Sequence, residues 1–428
     1  MATSVKTPEE SAPLADRLRA VRGLTVELSA SLSDADATVQ SMDDASPAKW
    51  HLAHVTWFFE TFLLRDHVPG YRTFDPRYAF LFNSYYEAEG QRHARARRGL
   101  LTRPTLDEIL NWRAHVDDAV AAALPGLSAE ARDLVELGLH HEQQHQELLL
   151  TDILHLFAQN PLEPAVWPAA RPAPAPSPGP IRWIEGAAGI VKIGHDGGGF
   201  AFDCEGPRHP ALLHPHAIAD RAITNAEYAA FIADGGYARP AHWLADGWAW
   251  VKANAVEAPL YWRREAGGGW TSFDLDGRHP VHPGAPVTHV NHYEADAYAH
   301  WAGARLPTEG EWEAAAAGMD PMRGNQLDAA GGDARFVVRP RAASRSDAPH
   351  QMFGDVWEWT SSAYLPYPGF RPAAGAVGEY NGKFMSGQFV LKGGSCATPR
   401  GHVRASYRNF FYPHQRWQFT GIRLAKDL

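Results

Sequence analysis

Two cysteines, Cys204 and Cys396, among 428 residues leave no disulfide framework to build, and they point to a reducing compartment. No apolar run is long enough to span a bilayer. The opening Met-Ala-Thr-Ser-Val-Lys-Thr-Pro-Glu-Glu has no apolar core of the kind a secretory signal needs. The expectation is a cytoplasmic chain with no membrane partner. Excess basic charge is missing too: the formal net charge is -9, which excludes a non-specific grip on nucleic acid or an anionic surface. What the chain has in quantity is 22 histidines and 15 tryptophans. Histidine at that level suggests metal or proton chemistry, and only spacing can decide.

The first third reads as helices over 12–33, 47–66, 105–123 and 128–158. Ser46-Pro47 looks like an N-cap followed by proline at the first helical position. Thr105 with Glu108 three residues on has the form of a capping box, and Ser128 opens the longest segment. Four such segments predict a four-helix bundle. From Asn160 to Pro180 proline is too dense for helix or central strand. A stiff Pro/Ala-rich linker is therefore placed at 166–180, between an N-terminal domain (1–165) and a C-terminal one (181–428). Beyond it, short strand-like pieces (Ile190–Ile193, Phe389–Leu391) and helical stretches near 224–234, 292–302 and 308–317 predict an irregular α+β domain rich in loops. Oligomeric state is not legible.

The segment Leu139-His140-His141-Glu142-Gln143-Gln144-His145 carries the chemistry. On a helix His141 and His145 lie about 40° apart, on a stripe shared with Leu134, Leu137, Gly138, Leu148 and Asp152. Two imidazoles on a core-facing stripe need a shared reason, and a metal supplies one. A second helix, Trp50-His51-Leu52-Ala53-His54-Val55-Thr56-Trp57-Phe58, offers a third ligand. His51 and His54 both qualify, and periodicity does not choose between them. Three nitrogens suit Fe(II), Zn, Cu or Ni. His141 to His145 also matches H-E-x-x-H, so a zinc peptidase with Glu142 as general base is an alternative. No third-ligand motif follows it. A metal-dependent thiol transferase with an appended binding module is another.

Beyond the linker, Ile223-Thr224-Asn225-Ala226-Glu227-Tyr228, Pro286-Val287-Thr288-His289-Val290 and the run Trp301 to Glu313 resemble the formylglycine-generating-enzyme-like (sulfatase-modifying factor) fold, related to C-type lectins. Gly354-Asp355-Val356-Trp357-Glu358-Trp359-Thr360, Gly393-Gly394-Ser395 and Gly421-Ile422-Arg423-Leu424-Ala425 extend the match in order. The helical third resembles a DinB-type metal-binding bundle. Together they resemble the ergothioneine-biosynthesis sulfoxide synthases. That resemblance implies an Fe(II) enzyme using O2 to join cysteine sulfur, or that of γ-glutamylcysteine, to the imidazole C2 of hercynine. It also implies that the ligand closing the W-x-L-A-H pattern is His54, so that His51 is structural or supports a ligand. Arg305, Glu309, Trp312, Trp357 and Trp359 read as scaffold and core. Cys204 and Cys396 do not sit in the cysteine-pair motif of the copper-type oxidase of this fold.

Leu81-Phe82-Asn83-Ser84-Tyr85-Tyr86-Glu87-Ala88-Glu89-Gly90 precedes Arg92, Arg95, Arg97 and Arg98. By composition this is either a loop packed on the bundle beside a solvated basic run, or part of a site. The resemblance implies the second, in a branch with this tyrosine pair. Tyr85 and Tyr86 would then move a proton or hydrogen atom, and Arg95 and Arg98 would grip a carboxylate, for which the guanidinium fork is suited. The turn from Tyr407 to Trp417 resembles the family's substrate-binding turn, with Asn409, Phe410, Phe411 and Trp417 as contacts. Its aromatics suit a trimethylammonium group. Gln415 stands where the γ-glutamylcysteine branch has an arginine, which favours free cysteine. Gln144, about 60° off the ligand stripe, is placed to contact the substrate imidazole.

Overall fold

The computed structural model describes residues 12–169, 171, 178–329, 336–344, 349–374, 378 and 381–428. Its helical half runs α1 (Leu14–Ser29), α2 (Asp34–Thr38), α3 (Ala48–Phe58), α4 (Tyr78–Phe82), α5 (Leu106–Ala123) and α6 (Ala129–Ala158). The four long helices form the bundle: α6 packs on α1 and α3, and α3 on α5. Thr105 and Glu108 cap α5 reciprocally, and the Ser128 hydroxyl accepts from the Ala131 amide at the start of α6. These caps satisfy amides that a helix start leaves without partners.

Ser46 departs from the expected cap. Pro47 holds the cap position of α3 and makes no side-chain cap bond. The Ser46 amide donates instead to Asp152 Oδ2 at 2.7 Å, and its hydroxyl accepts from Arg98 at 2.9 Å. The expected helix over 47–66 is also two pieces, α3 and a π-helical stretch from Phe59 to Arg65.

The other half adds α7 (Asn225–Ala233), α8 (Ala245–Asn254), α9 (His292–Trp301) and α10 (Glu309–Ala315). Its strands are β1 (Trp183–Glu185), β2 (Gly189–Ile193), β3 (His209–Leu213), β4 (His216–Ala219), β5 (Trp262–Arg264), β6 (Trp270–Asp274), β7 (Gly277–Pro280), β8 (Trp357–Ala363), β9 (Phe389–Lys392), β10 (Asn409–Phe411), β11 (Thr420–Gly421) and β12 (Ala425–Asp427). The sheet that matters for the site is ordered β10-β9-β8-β11, antiparallel except for the parallel β8–β11 pair. Behind it Arg423 and Glu358, both fully buried, pair through two bonds, and the Trp312 indole donates to the same carboxylate. Burying an ion pair is affordable only when the remaining lone pairs find donors, as they do here.

The two halves share a core. Tyr261, Phe273, Leu275, Phe336 and Phe419 belong to the same buried cluster as Trp57, Leu139 and Leu150 of the bundle. Glu147 of α6 accepts from Trp357 Nε1 (2.8 Å), Ser395 Oγ (2.6 Å) and Thr398 Oγ1 (2.7 Å) across the junction. Between the halves, the Val166 and Trp167 amides both donate to the Leu275 carbonyl, and Arg171 pairs with Asp274 and Asp276. Residues 170 and 172–177 of the expected linker lie outside the described residues.

Candidate metal centre and its cavity

His141 and His145 sit one turn apart on α6, and His54 faces them from α3. Their ring centroids are 5.0, 4.9 and 4.7 Å apart (His54–His141, His54–His145, His141–His145), a nearly equilateral triangle. One ligand atom from each lies within 4.8 Å of the others. The structure thus groups His54, rather than His51, with the pair on α6. Burial pushes all three imidazoles below their ordinary range, His141 to about 4, so each is held neutral with a lone pair to give.

The outer nitrogens confirm which edge is available. His54 Nδ1 donates to the Phe82 carbonyl at 2.6 Å, and His145 Nδ1 contacts His51 Nδ1 at 2.9 Å. His54 therefore offers Nε2, and His145 does so where its Nδ1 is the donor to His51. His141 Nδ1 is buried without a hydrogen-bond partner among the described residues. A set of three neutral imidazoles with no carboxylate among them fits a divalent transition metal with open positions. Trp50 stacks on His54 at 4.8 Å and also lies under the Arg98 guanidinium, 3.3 Å from the ring centroid.

A cavity of about 390 Å³ opens in front of His54 and His145, with walls from both halves of the chain. Of the residues singled out from the sequence, Tyr85, Tyr86, Arg95, Arg98, Gln144, Asn409, Phe410, Phe411 and Trp417 all line it; His141 does not. Tyr86 is buried against Trp57 and Phe62, whereas Tyr85 is half-exposed, edge-on to Phe384, and accepts from Arg95. Arg98 is 3% exposed and donates to the hydroxyls of Ser46 and Ser84. Among the described residues it has no carboxylate ion-pair partner, and its Nε has no acceptor. Burial and the neighbouring Arg95 push its pKa down to about 9, so an anion in the cavity would relieve it. Gln144 Nε2 donates to the Tyr407 hydroxyl at 2.8 Å. Phe410 stacks on Tyr364 at 4.1 Å. The Trp417 N–H is committed to Asp152 Oδ1 at 2.9 Å, which leaves only its ring face for a ligand.

The model described as the DinB superfamily matches residues 17–149, and that of the sulfatase-modifying factor enzyme 1-like domain matches residues 183–428. Three curated relatives, each called a hercynine oxygenase, align over nearly their whole length. The Mycolicibacterium thermoresistibile protein is 35% identical over 100% of this chain and 97% of its own. The Mycolicibacterium smegmatis protein is 36% identical over 97% and 99%. The Mycobacterium tuberculosis protein is 34% identical over 99% and 100%. The chain belongs to the hercynine oxygenase family.

Within this hercynine oxygenase fold the H-E-x-x-H glutamate has no room to act as a base. Glu142 is fully buried, tied to Arg22 (2.8 Å), Arg113 and Thr25 (2.5 Å), and does not line the cavity. The peptidase alternative fails on that geometry. Cys204 and Cys396 are free, buried in different core clusters, and burial pushes the Cys204 thiol up to about 12. No described helix is long and apolar enough to cross a membrane.

Several lining residues escaped the sequence reading. His402 bonds Tyr407 (3.1 Å) and Gln143 (3.2 Å), and nothing in its neighbourhood signals a site. Trp357, read as scaffold, also lines the cavity. Asp44 accepts from Gln415 Nε2 at 3.3 Å. Asp152 was visible only as a member of the ligand stripe.

Proposed function

We propose that this chain is an iron(II)- and O2-dependent enzyme that bonds the sulfur of cysteine to the imidazole C2 of hercynine and delivers the sulfoxide. The balance is thiol plus imidazole C–H plus O2, giving the C–S sulfoxide and one water. The observation that carries the reading is a group of three neutral histidines, two of which line a cavity, together with a buried arginine on the same cavity that has no carboxylate ion-pair partner among the described residues. Iron(II) held by His54, His141 and His145 would supply open positions for O2, the thiolate and the substrate imidazole.

The chain's own residues do the rest. Arg98, with Arg95 nearer the mouth, binds the carboxylate of the sulfur substrate. Gln144, anchored through Tyr407, keeps its carbonyl oxygen for an imidazole N–H. The faces of Phe410, Phe411 and Trp417 take the trimethylammonium group by cation–π attraction and exclude water. Tyr85, held by Arg95, and Tyr86 are the proton-moving groups. Gln415 engages Asp44 and brings no cation to a γ-glutamyl carboxylate, which favours cysteine over γ-glutamylcysteine.

Protein loaded with Fe(II) is given hercynine with cysteine or γ-glutamylcysteine, with and without O2. Oxygen uptake and a sulfoxide mass with cysteine are expected, with little from γ-glutamylcysteine. Absence of oxygen uptake, or of a C–S product, would sink the reading.

A further inference from the structure

His51 is not in the metal group, yet it is buried beside His145 on the same cavity with both ring nitrogens engaged. Nδ1 lies 2.9 Å from His145 Nδ1, and Nε2 lies 3.0 Å from Asp152 Oδ2. A carboxylate only accepts, so His51 Nε2 carries the hydrogen. A neutral His51 then has a lone pair on Nδ1 and accepts from His145 Nδ1–H. That leaves the His145 lone pair on Nε2, the edge facing His54 and His141. The direction of the chain is set by Asp152.

Asp152 is itself over-determined. Oδ2 also accepts the Ser46 amide at 2.7 Å, and Oδ1 accepts the Trp417 indole at 2.9 Å. Its one ion-pair partner among the described residues is His51. Three N–H donors hold the carboxylate in place: the Ser46 amide just before α3, His51 within α3 and Trp417 of the C-terminal turn.

We propose that Asp152 and His51 form a positioning relay that fixes the tautomer and ring orientation of His145, and that Trp417 ties this relay to the turn lining the cavity. The relay rests on the metal-centre reading but on no particular metal or substrate. Partners of this kind raise ligand basicity, and losing them typically costs about 10- to 100-fold in metal affinity.

The test is Co(II) titration of the full-length apo-protein, followed by its ligand-field absorption. His51→Leu should weaken Co(II) binding by about 10- to 100-fold and alter the spectrum. His51→Gln, which can accept from His145 and donate to Asp152, should recover most of both. Asp152→Asn should move both readouts in the direction of His51→Leu, and Trp417→Phe should do so to a smaller extent. Circular dichroism checks that each variant is folded; if His51→Leu is not, Asp152→Asn decides alone. Wild-type affinity within twofold and an unchanged spectrum in folded His51→Leu or Asp152→Asn would overturn the relay. His54→Ala is the control: if it too retains Co(II), the metal-centre reading falls and the relay with it.

Discussion

His292 does not line the cavity, yet it bears on how the protein meets acid. It is 3% exposed, stacked on Phe389 at 3.8 Å, and burial pushes it down to about 4. The unfolded chain takes up a proton on this residue below about pH 6.5, and the native state does not until about pH 4. The stability it contributes is therefore complete above pH 6.5 and drains away as pH falls toward 4. Replacing it by phenylalanine removes that term. Relative to wild type, His292→Phe should gain roughly 2 kcal/mol between pH 7 and pH 5. Urea unfolding midpoints at the two pH values give the difference; a constant offset would mean the imidazole is not held neutral. This residue lay inside a legible helix, but its burial did not show, because an exposed and a buried histidine are spelled alike.

At the scale of the element, α6 explains both what was readable and what was hidden. Its start at Ser128 and the one-turn spacing of His141 and His145 are local properties, set by capping chemistry and the helical period. The same period suggested a single apolar stripe. In the structure, residues from Gly138 to Leu154 are buried on nearly every side, with only Gln144 and Leu148 half-exposed at the cavity. Gly138 shows how tight the contact is. A Cβ there would lie 2.6 Å from Phe59 Cζ and 3.1 Å from Phe58 Cε1, and the Phe58 ring packs 5.0 Å from that of His141. Alanine in a helix interior is favoured over glycine by about 1 kcal/mol. Overpacking a filled core costs about 1–3 kcal/mol. The steric term should win, so Gly138→Ala is expected to lower stability by roughly 1–2 kcal/mol and to weaken metal binding. A Gly138→Ala protein with a higher melting temperature than wild type would show that the phenylalanines yield easily.

For the whole molecule, the consequence is cooperativity. The first core cluster draws on both halves, and Glu147 places its carboxylate among three donors from the far domain. Stripped of those donors, a buried carboxylate is costly, and burial already pushes Glu147 up. The halves should not unfold separately. Calorimetry on the full chain is expected to show one transition, and residues 1–165 expressed alone should expose the covered face of α6 and lack sharp tertiary signals. Two resolved transitions, or a well-folded fragment, would contradict a shared core.

The sequence by itself determined the helical bundle, the α+β half with its ordered motifs, and the pair of histidines one turn apart. Each depends on neighbours within a few residues or on motifs whose order survives without coordinates. It also named part of the cavity lining, through segments around Tyr85 and Tyr407 that resemble a known family. Only the tertiary structure chose His54 over His51 on geometric grounds, because two residues three apart on α3 are separated by which ring faces α6. It alone turned Glu142 away into an arginine pair, and it joined Ser46, His51, Asp152 and Trp417 around one carboxylate. Those partners are scattered across more than 370 positions of chain, and hydrogen bonds over such separations leave no periodic trace in the order of residues.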